Sequence, residues 1–216
     1  MKTEQKEPVV DFLRGNKNMK IVVFPGVGFH TNLTEYSGFI DKIKTGCDCD
    51  VTMFNWKHDW PIPDTKLPIV SVRKWICEVL LDFQQVIRHA IEMEVPEADF
   101  YIGHSAGSVI ALVQKNPCII FGSPATLVEI AQFGEMVPRT ELMKAMNNDG
   151  RKVYNIINKS DQLAYGLSWP SVENYTYSNS AYCPCTYNPL AAHSDYWDNS
   201  RVTQKIVDKI NEWKKW

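Results

Sequence analysis

The chain has 216 residues, of which 44% are apolar and 22% charged, with 11 Gly and 12 Pro. Such a length suits one compact domain at the usual one per roughly 100–200 residues, and the composition excludes a collagenous, coiled-coil or disordered chain. With 23 basic against 25 acidic residues the net charge is −2, which offers no field to a polyanion, so nucleic acid is not an expected partner.

Residues 1–19 open on Met-Lys-Thr-Glu-Gln-Lys-Glu-Pro, charged almost throughout and without a secretory apolar core. No run approaches the roughly 18 apolar residues that cross a bilayer. The expected compartment is the cytoplasm, without a transmembrane segment. The first 19 residues read as a short leader, and residues 20–216, with no repeat or flexible linker, as one domain.

Lys20 to Phe24 is a continuous apolar, β-branched run that ends in Pro25-Gly26, the pattern of a strand buried on both faces. Asp50 to Trp56 is a second strand candidate. Trp56, Trp60, Pro61, Pro63 and Pro68 then give a stiff aromatic segment, and Trp56 and Trp60 are candidates to wall a substrate. Between Pro68 and Pro96, Val72, Ile76, Val79, Leu80, Phe83, Val86, Ile87, Ala90 and Ile91 follow a helical period.

Asp99 to Ile102 predicts a strand, Gly103 to Gly107 a turn and Ser108 to Gln114 a helix stopped by Asn116-Pro117. Cys118 to Phe121, Lys152 to Ile157 and Glu173 to Tyr177 supply three more strands. Val202, Ile206, Val207, Ile210 and Trp213 mark one face of a closing helix, with Asn199 or Ser200 as its cap. Strands that alternate with helices predict an α/β domain: a mostly parallel sheet of about six strands with helices on both faces. Ligands then bind beyond the carboxyl ends of the strands.

At one such end stands Gly103-His104-Ser105-Ala106-Gly107. A nucleophile on a strained strand-to-helix turn needs neighbours without bulk, and residues 103, 106 and 107 meet that demand. The Ala106 N–H at the helix start is placed to meet a developing oxyanion. A serine hydroxyl needs a base oriented by a third group. Asp161 follows the strand around residues 152–157, and His193 follows the last strand candidate, just before the closing helix. His58 lies at the same predicted sheet end but precedes the serine, and His104 adjoins Ser105 on a tight turn that would aim it away. His193 is therefore the expected base, and His104 is assigned to the substrate-binding surroundings.

In this order of elements and of Ser, Asp and His the chain resembles the α/β-hydrolase superfamily, and within it the compact lipase and esterase branches, including class 3 lipases and cutinase-like enzymes. The resemblance spans about residues 20–214. It rests on Pro25-Gly26-Val27-Gly28, Gly103-His104-Ser105-Ala106-Gly107, Phe121-Gly122-Ser123-Pro124 and the Asp161 and His193 segments. It implies a serine hydrolase of small carboxylic esters that needs no cofactor, with Ser105, Asp161 and His193 catalytic. Val27, with Gly28 next, would supply the second oxyanion amide, although many relatives have His-Gly where this chain has Pro25-Gly26. Thioester cleavage and acyl transfer use the same constellation. A binding or scaffold protein on this fold is the alternative from another class.

Residues 125–150, with Leu127, Ile130, Phe133, Met136, Val137, Leu142, Met143 and Met146, form either a lid over a greasy pocket or a crossover helix. Phe133 is a candidate lining residue. The six cysteines include Cys47-Asp48-Cys49 and Cys183-Pro184-Cys185. Structural zinc sites space paired cysteines by two to four residues, so no metal is expected, and without an export signal the cysteines read as reduced thiols.

Overall fold

A computed structural model of the chain describes residues 18–26, 36–54, 92–123, 150–161, 172–179 and 189–215. These carry six strands, β1 (Met19–Phe24), β2 (Cys49–Met53), β3 (Phe100–His104), β4 (Cys118–Phe121), β5 (Val153–Asn158) and β6 (Glu173–Tyr177). All pair in parallel in the order β2-β1-β3-β4-β5-β6. Every residue of β3, β4 and β5 is buried, whereas β2 and β6 at the edges are partly exposed. Central parallel strands covered on both faces must be apolar along their whole length, which is why these runs are so plain in the sequence.

The alternation of side chains along each strand divides the core into two layers. Val22, Phe24, Tyr101, Cys118, Ile120 and Val153 point to the side covered by α2 (Ala106–Val113). Ile21, Val23, Phe100, Ile102, Ile119, Phe121, Tyr154 and Ile156 point to the other side, under α1 (Ser37–Cys47) and α4 (Ser200–Trp213). The chain steps from β1 to β2 in one direction and from β3 to β4 in the other. Right-handed crossovers taken in opposite directions put their helices on opposite faces, so α1 and α2 lie on different sides of the sheet. The reversal of strand order falls between β1 and β3, the place where open α/β sheets leave a crevice at their carboxyl edge.

α1 has no counterpart among the expected elements. It buries only Phe39, Ile43 and Cys47 and contains Gly38 and Gly46, so its apolar stripe is thin. Gly46 is nonetheless useful, since a Cβ there would stand 2.7 Å from Val207 Cγ1 of α4. α4 starts where expected: Asn199 caps it by accepting from the Arg201 N–H at 3.1 Å. Its Trp213 stacks on Phe100, with ring centroids 6.1 Å apart. Lys209 of α4 reaches the edge strand, its ammonium 2.6 Å from Glu173 Oε1 and 2.6 Å from Glu212 Oε2. Burial opposes its charge, but those hydrogen bonds win and hold its pKa above the usual value.

Cys47, Cys49 and Cys118 are free, buried thiols, and burial pushes Cys47 and Cys118 up to about 12. No helix among the described residues is long and apolar enough to cross a membrane. The expected helix between Pro68 and Pro96, the segment 125–149 and Cys183 and Cys185 lie outside the described residues, apart from the last few residues before Pro96.

Candidate functional site

The turn expected over residues 103–107 is tighter than the sequence implied: β3 runs to His104, α2 begins at Ala106, and Ser105 alone joins them. It does so at φ 52° and ψ −126°, a left-handed conformation that costs a residue with a Cβ on the order of 1–3 kcal/mol. The backbone overdetermines it. Ser105 N–H donates to Phe121 O of β4 at 3.0 Å, and Ser105 O accepts from the Ser108 N–H at 3.0 Å and from the Ser108 hydroxyl. Ser108 Oγ also meets Ser123 Oγ at 2.6 Å, which ties the turn to the end of β4.

The small neighbours are required by backbone contact. A Cβ on Gly107 would lie 2.5 Å from Pro25 O and closer still to Phe24 O, and one on Gly103 would lie 2.5 Å from Ser108 Cα. These are main-chain atoms that cannot rotate away. Gly107→Ala is accordingly expected to cost at least about 1–3 kcal/mol by overpacking, read from the urea midpoint; a change within about 0.5 kcal/mol, as at an ordinary surface site, would contradict it. Gly26, at the end of β1, faces the same turn, and a Cβ there would stand 2.8 Å from Ser105 Cβ.

Asp161 lies just beyond β5 and is 2% exposed. Its backbone N–H donates to Asn158 O at 2.9 Å, while Asn158 Oδ1 accepts from the Ser160 N–H at 3.0 Å. Asn158 therefore makes the local side-chain turn. The Asp161 carboxylate instead accepts from His193 Nδ1 at 2.9 Å and from the Tyr196 hydroxyl at 3.1 Å, both on Oδ2.

His193 lies on a helix, α3 (Pro189–Asp198), just ahead of the closing helix. Pro189 suits a first helical position because its missing N–H would go unpaired there anyway. His193, Tyr196 and Trp197 share one face by the i, i+3, i+4 rule. Asp195 ties α3 to the end of β6, accepting from Tyr177 Oη at 3.0 Å and from Asn179 Nδ2 at 2.9 Å. The Tyr196 hydroxyl accepts from the Asn158 N–H at 3.0 Å, so its own proton is directed at Asp161. Burial and the Asp161 charge push its pKa well above the usual value. Asn158 Nδ2 donates to Ala192 O at 3.2 Å.

A carboxylate only accepts, so the proton between Asp161 and His193 sits on Nδ1, and Nε2 is the imidazole atom able to take one up. The ends of β3 and β5 and the face of α3 thus bring Ser105, Asp161 and His193 to one carboxyl edge. Among the described residues the hydrogen bonds of Ser105 run through its backbone, and its Oγ has none.

His104, assigned by sequence to the substrate-binding surroundings, is instead enclosed in the core. It is 0% exposed and engaged at both nitrogens: Nε2 lies 2.9 Å from His193 O, and Nδ1 accepts from Trp197 Nε1 at 3.2 Å. Gly122, with φ +56°, leaves room for it, since a Cβ there would stand 3.2 Å from His104 Cδ2. Burial first, then the neighbouring His193, hold the His104 pKa well below 6.5, while the His193 carbonyl and the Asp161 charge pull it up. Tyr196 also faces the ring.

The unfolded chain binds a proton at His104 near pH 6.5, and the folded chain does not. Stability is therefore fully present above about pH 6.5 and falls below it, by up to about 1.4 kcal/mol per pH unit. A His104→Gln variant is expected to lack this component, so its urea midpoint should depend less steeply on pH between 6 and 4. Identical slopes would contradict a neutral buried His104.

Val27, Gly28, Trp56, Trp60, Phe133 and His58 lie outside the described residues. Sequence reasoning missed Tyr196 and Asn158. The signal available for Tyr196 was its helical spacing from His193.

No protein-family model matches the chain, and no curated protein matches it by sequence. Solved structures do resemble it. The esterase domain of a Rhodothermus marinus protein is 12% identical with a TM-score of 0.50, the match covering 92% of this chain and 88% of that one. Est1E from Butyrivibrio proteoclasticus is 12% identical over 92% of this chain and 89% of its own, at a TM-score of 0.47. Carboxyl esterase 2 from the mycorrhizal fungus Tuber melanosporum is 11% identical over 89% and 76%, at 0.46. The chain shares the α/β fold of the Rhodothermus marinus esterase domain, and its described residues carry six parallel strands with helices on both faces.

Proposed function

We propose that the chain is a serine hydrolase of small carboxylic esters. The observation that carries this reading is the buried His193–Asp161 hydrogen bond of 2.9 Å at the sheet edge where Ser105 is held at φ 52°. Ser105 Oγ attacks the ester carbonyl carbon while its proton passes to His193 Nε2. The carbonyl π electrons move onto oxygen, and the oxyanion is met by the Ala106 N–H and, from the segment after β1, by that of Val27 or Gly28. Each such donor contributes on the order of 10²–10³ in rate. Collapse of the intermediate breaks the bond to the alkoxy oxygen, which leaves as alcohol with the proton from His193. Water then releases the acid by the same path, and Ser105 recovers its proton.

Asp161 keeps His193 in the tautomer this needs. The hydroxyl-to-imidazole contact is one that tightens when substrate fills the site. Trp56, Trp60 and Phe133 are assigned to the acyl surroundings from sequence alone. The chemistry requires no cofactor.

The test is a series of p-nitrophenyl esters from acetyl to palmitoyl, with Ser105→Ala protein as control. Turnover of at least one ester by the wild type, absent in the variant, is the expected result. Equal rates in both proteins would contradict the assignment. A second reading, a binding protein on this fold, is favoured by the lack of a hydrogen bond at Ser105 Oγ among the described residues. It predicts no turnover across the series.

A further inference from the structure

We infer that His104 is a positioning residue for His193, setting the distance between the strand that carries Ser105 and the helix that carries the imidazole. The inference deepens the serine hydrolase reading and rests on it. His104 ends β3, a central strand, and is joined covalently to Ser105. A fully buried imidazole needs a partner of the right polarity at each nitrogen. The His193 carbonyl can only accept, so His104 Nε2 carries the hydrogen of that 2.9 Å bond. The Trp197 indole can only donate, so His104 Nδ1 is the bare nitrogen that receives it at 3.2 Å.

The two partners are four residues apart on α3, so the ring grips the backbone at one turn and a side chain at the next. The His104 and His193 rings stand 4.8 Å apart, with Phe121 against the first at 5.2 Å. The resulting path runs from Ser105 through one peptide bond, one side chain and one hydrogen bond to the main chain of His193. Asp161 fixes how the His193 ring is turned; His104 fixes where its backbone stands. A 1 Å displacement of a reacting group can cost on the order of 10² in rate, so loss of this bond should lower the rate of chemistry more than it affects substrate binding.

Two isosteres separate the two bonds. His104→Gln keeps an N–H at the distance of Nε2 for the His193 carbonyl; His104→Asn keeps an oxygen near Nδ1 for the Trp197 indole. Each leaves one bond of two, so a difference between them beyond their melting temperatures reads position and not stability. The experiment measures kcat and KM on the best ester, and the rate of covalent labelling by a fluorophosphonate, for wild type, both variants and Ser105→Ala.

The expected result is His104→Gln within about threefold of wild type in kcat and labelling rate. His104→Asn should be slower by on the order of 10- to 100-fold in both, with KM within about twofold. Equal losses in the two folded variants, or no loss in His104→Asn, would overturn the inference and leave the hydrolase reading standing. Should His104→Asn melt below the assay temperature, His104→Gln decides alone: labelling slowed more than about tenfold overturns the inference, and wild-type labelling supports it. Wild-type protein that Ser105→Ala matches in labelling would overturn the hydrolase reading and the inference with it.

Discussion

Ser105→Ala is expected to lower turnover by on the order of 10⁴- to 10⁶-fold while leaving the fold in place. The bonds that hold residue 105 in its turn are main-chain bonds to Phe121 and Ser108, which alanine keeps. The hydroxyl is the one atom removed, and in the proposed mechanism it forms the covalent bond, so nothing else can substitute for it. Ser105→Gly sharpens the prediction. Glycine takes a φ of 52° without the steric penalty of a Cβ, so this variant should be inactive and yet more stable than wild type by about 1 kcal/mol. Chemical denaturation measures the second half. An inactive but destabilised Ser105→Gly would mean that the turn is not strained in the way its geometry implies.

Asp161→Asn should have the second largest effect, a loss in kcat on the order of 10⁴ with little change in packing. Asp161 Oδ2 receives two donors, His193 Nδ1 and the Tyr196 hydroxyl. The hydroxyl cannot turn around, because it already accepts from the buried Asn158 N–H. An asparagine offers one acceptor and one donor where the site supplies two donors. Both donors meet the same position, so an asparagine oxygen placed there keeps both bonds but loses the charge that stabilises the imidazolium, whereas an NH₂ placed there opposes the Tyr196 hydroxyl and forces the His193 proton onto Nε2, which can then take none from serine. A loss smaller than about tenfold in kcat/KM would mean that Asp161 is not what selects the tautomer.

The sheet was legible because buried parallel strands leave long apolar, β-branched runs. The expected run Cys118 to Phe121 coincides with β4, and Lys20 to Phe24 misses β1 by one residue. α1 was not legible, since two glycines and a thin stripe of Phe39, Ile43 and Cys47 give little periodicity. The placement of Ser105, Asp161 and His193 at the carboxyl edge was legible from motif and order, because so tight a strand-to-helix turn needs small neighbours that stand out in sequence. Their supports were not. Asn158 and Tyr196 act on partners more than 30 residues away, and no local pattern announces such a contact. That the turn aims His104 away from Ser105 was legible, but its full burial against α3 was not, and the sequence left it among the substrate-binding surroundings. Residues that alternate along a strand point to opposite sides, and His104 turns into the core beside α3.

The most direct test of the account is intact-mass and peptide mass spectrometry after exposure to a fluorophosphonate probe. The account predicts one adduct per chain, located on the peptide that contains Ser105 and formed far more slowly in Asp161→Asn protein. An unmodified chain, or an adduct on any other residue, would contradict it.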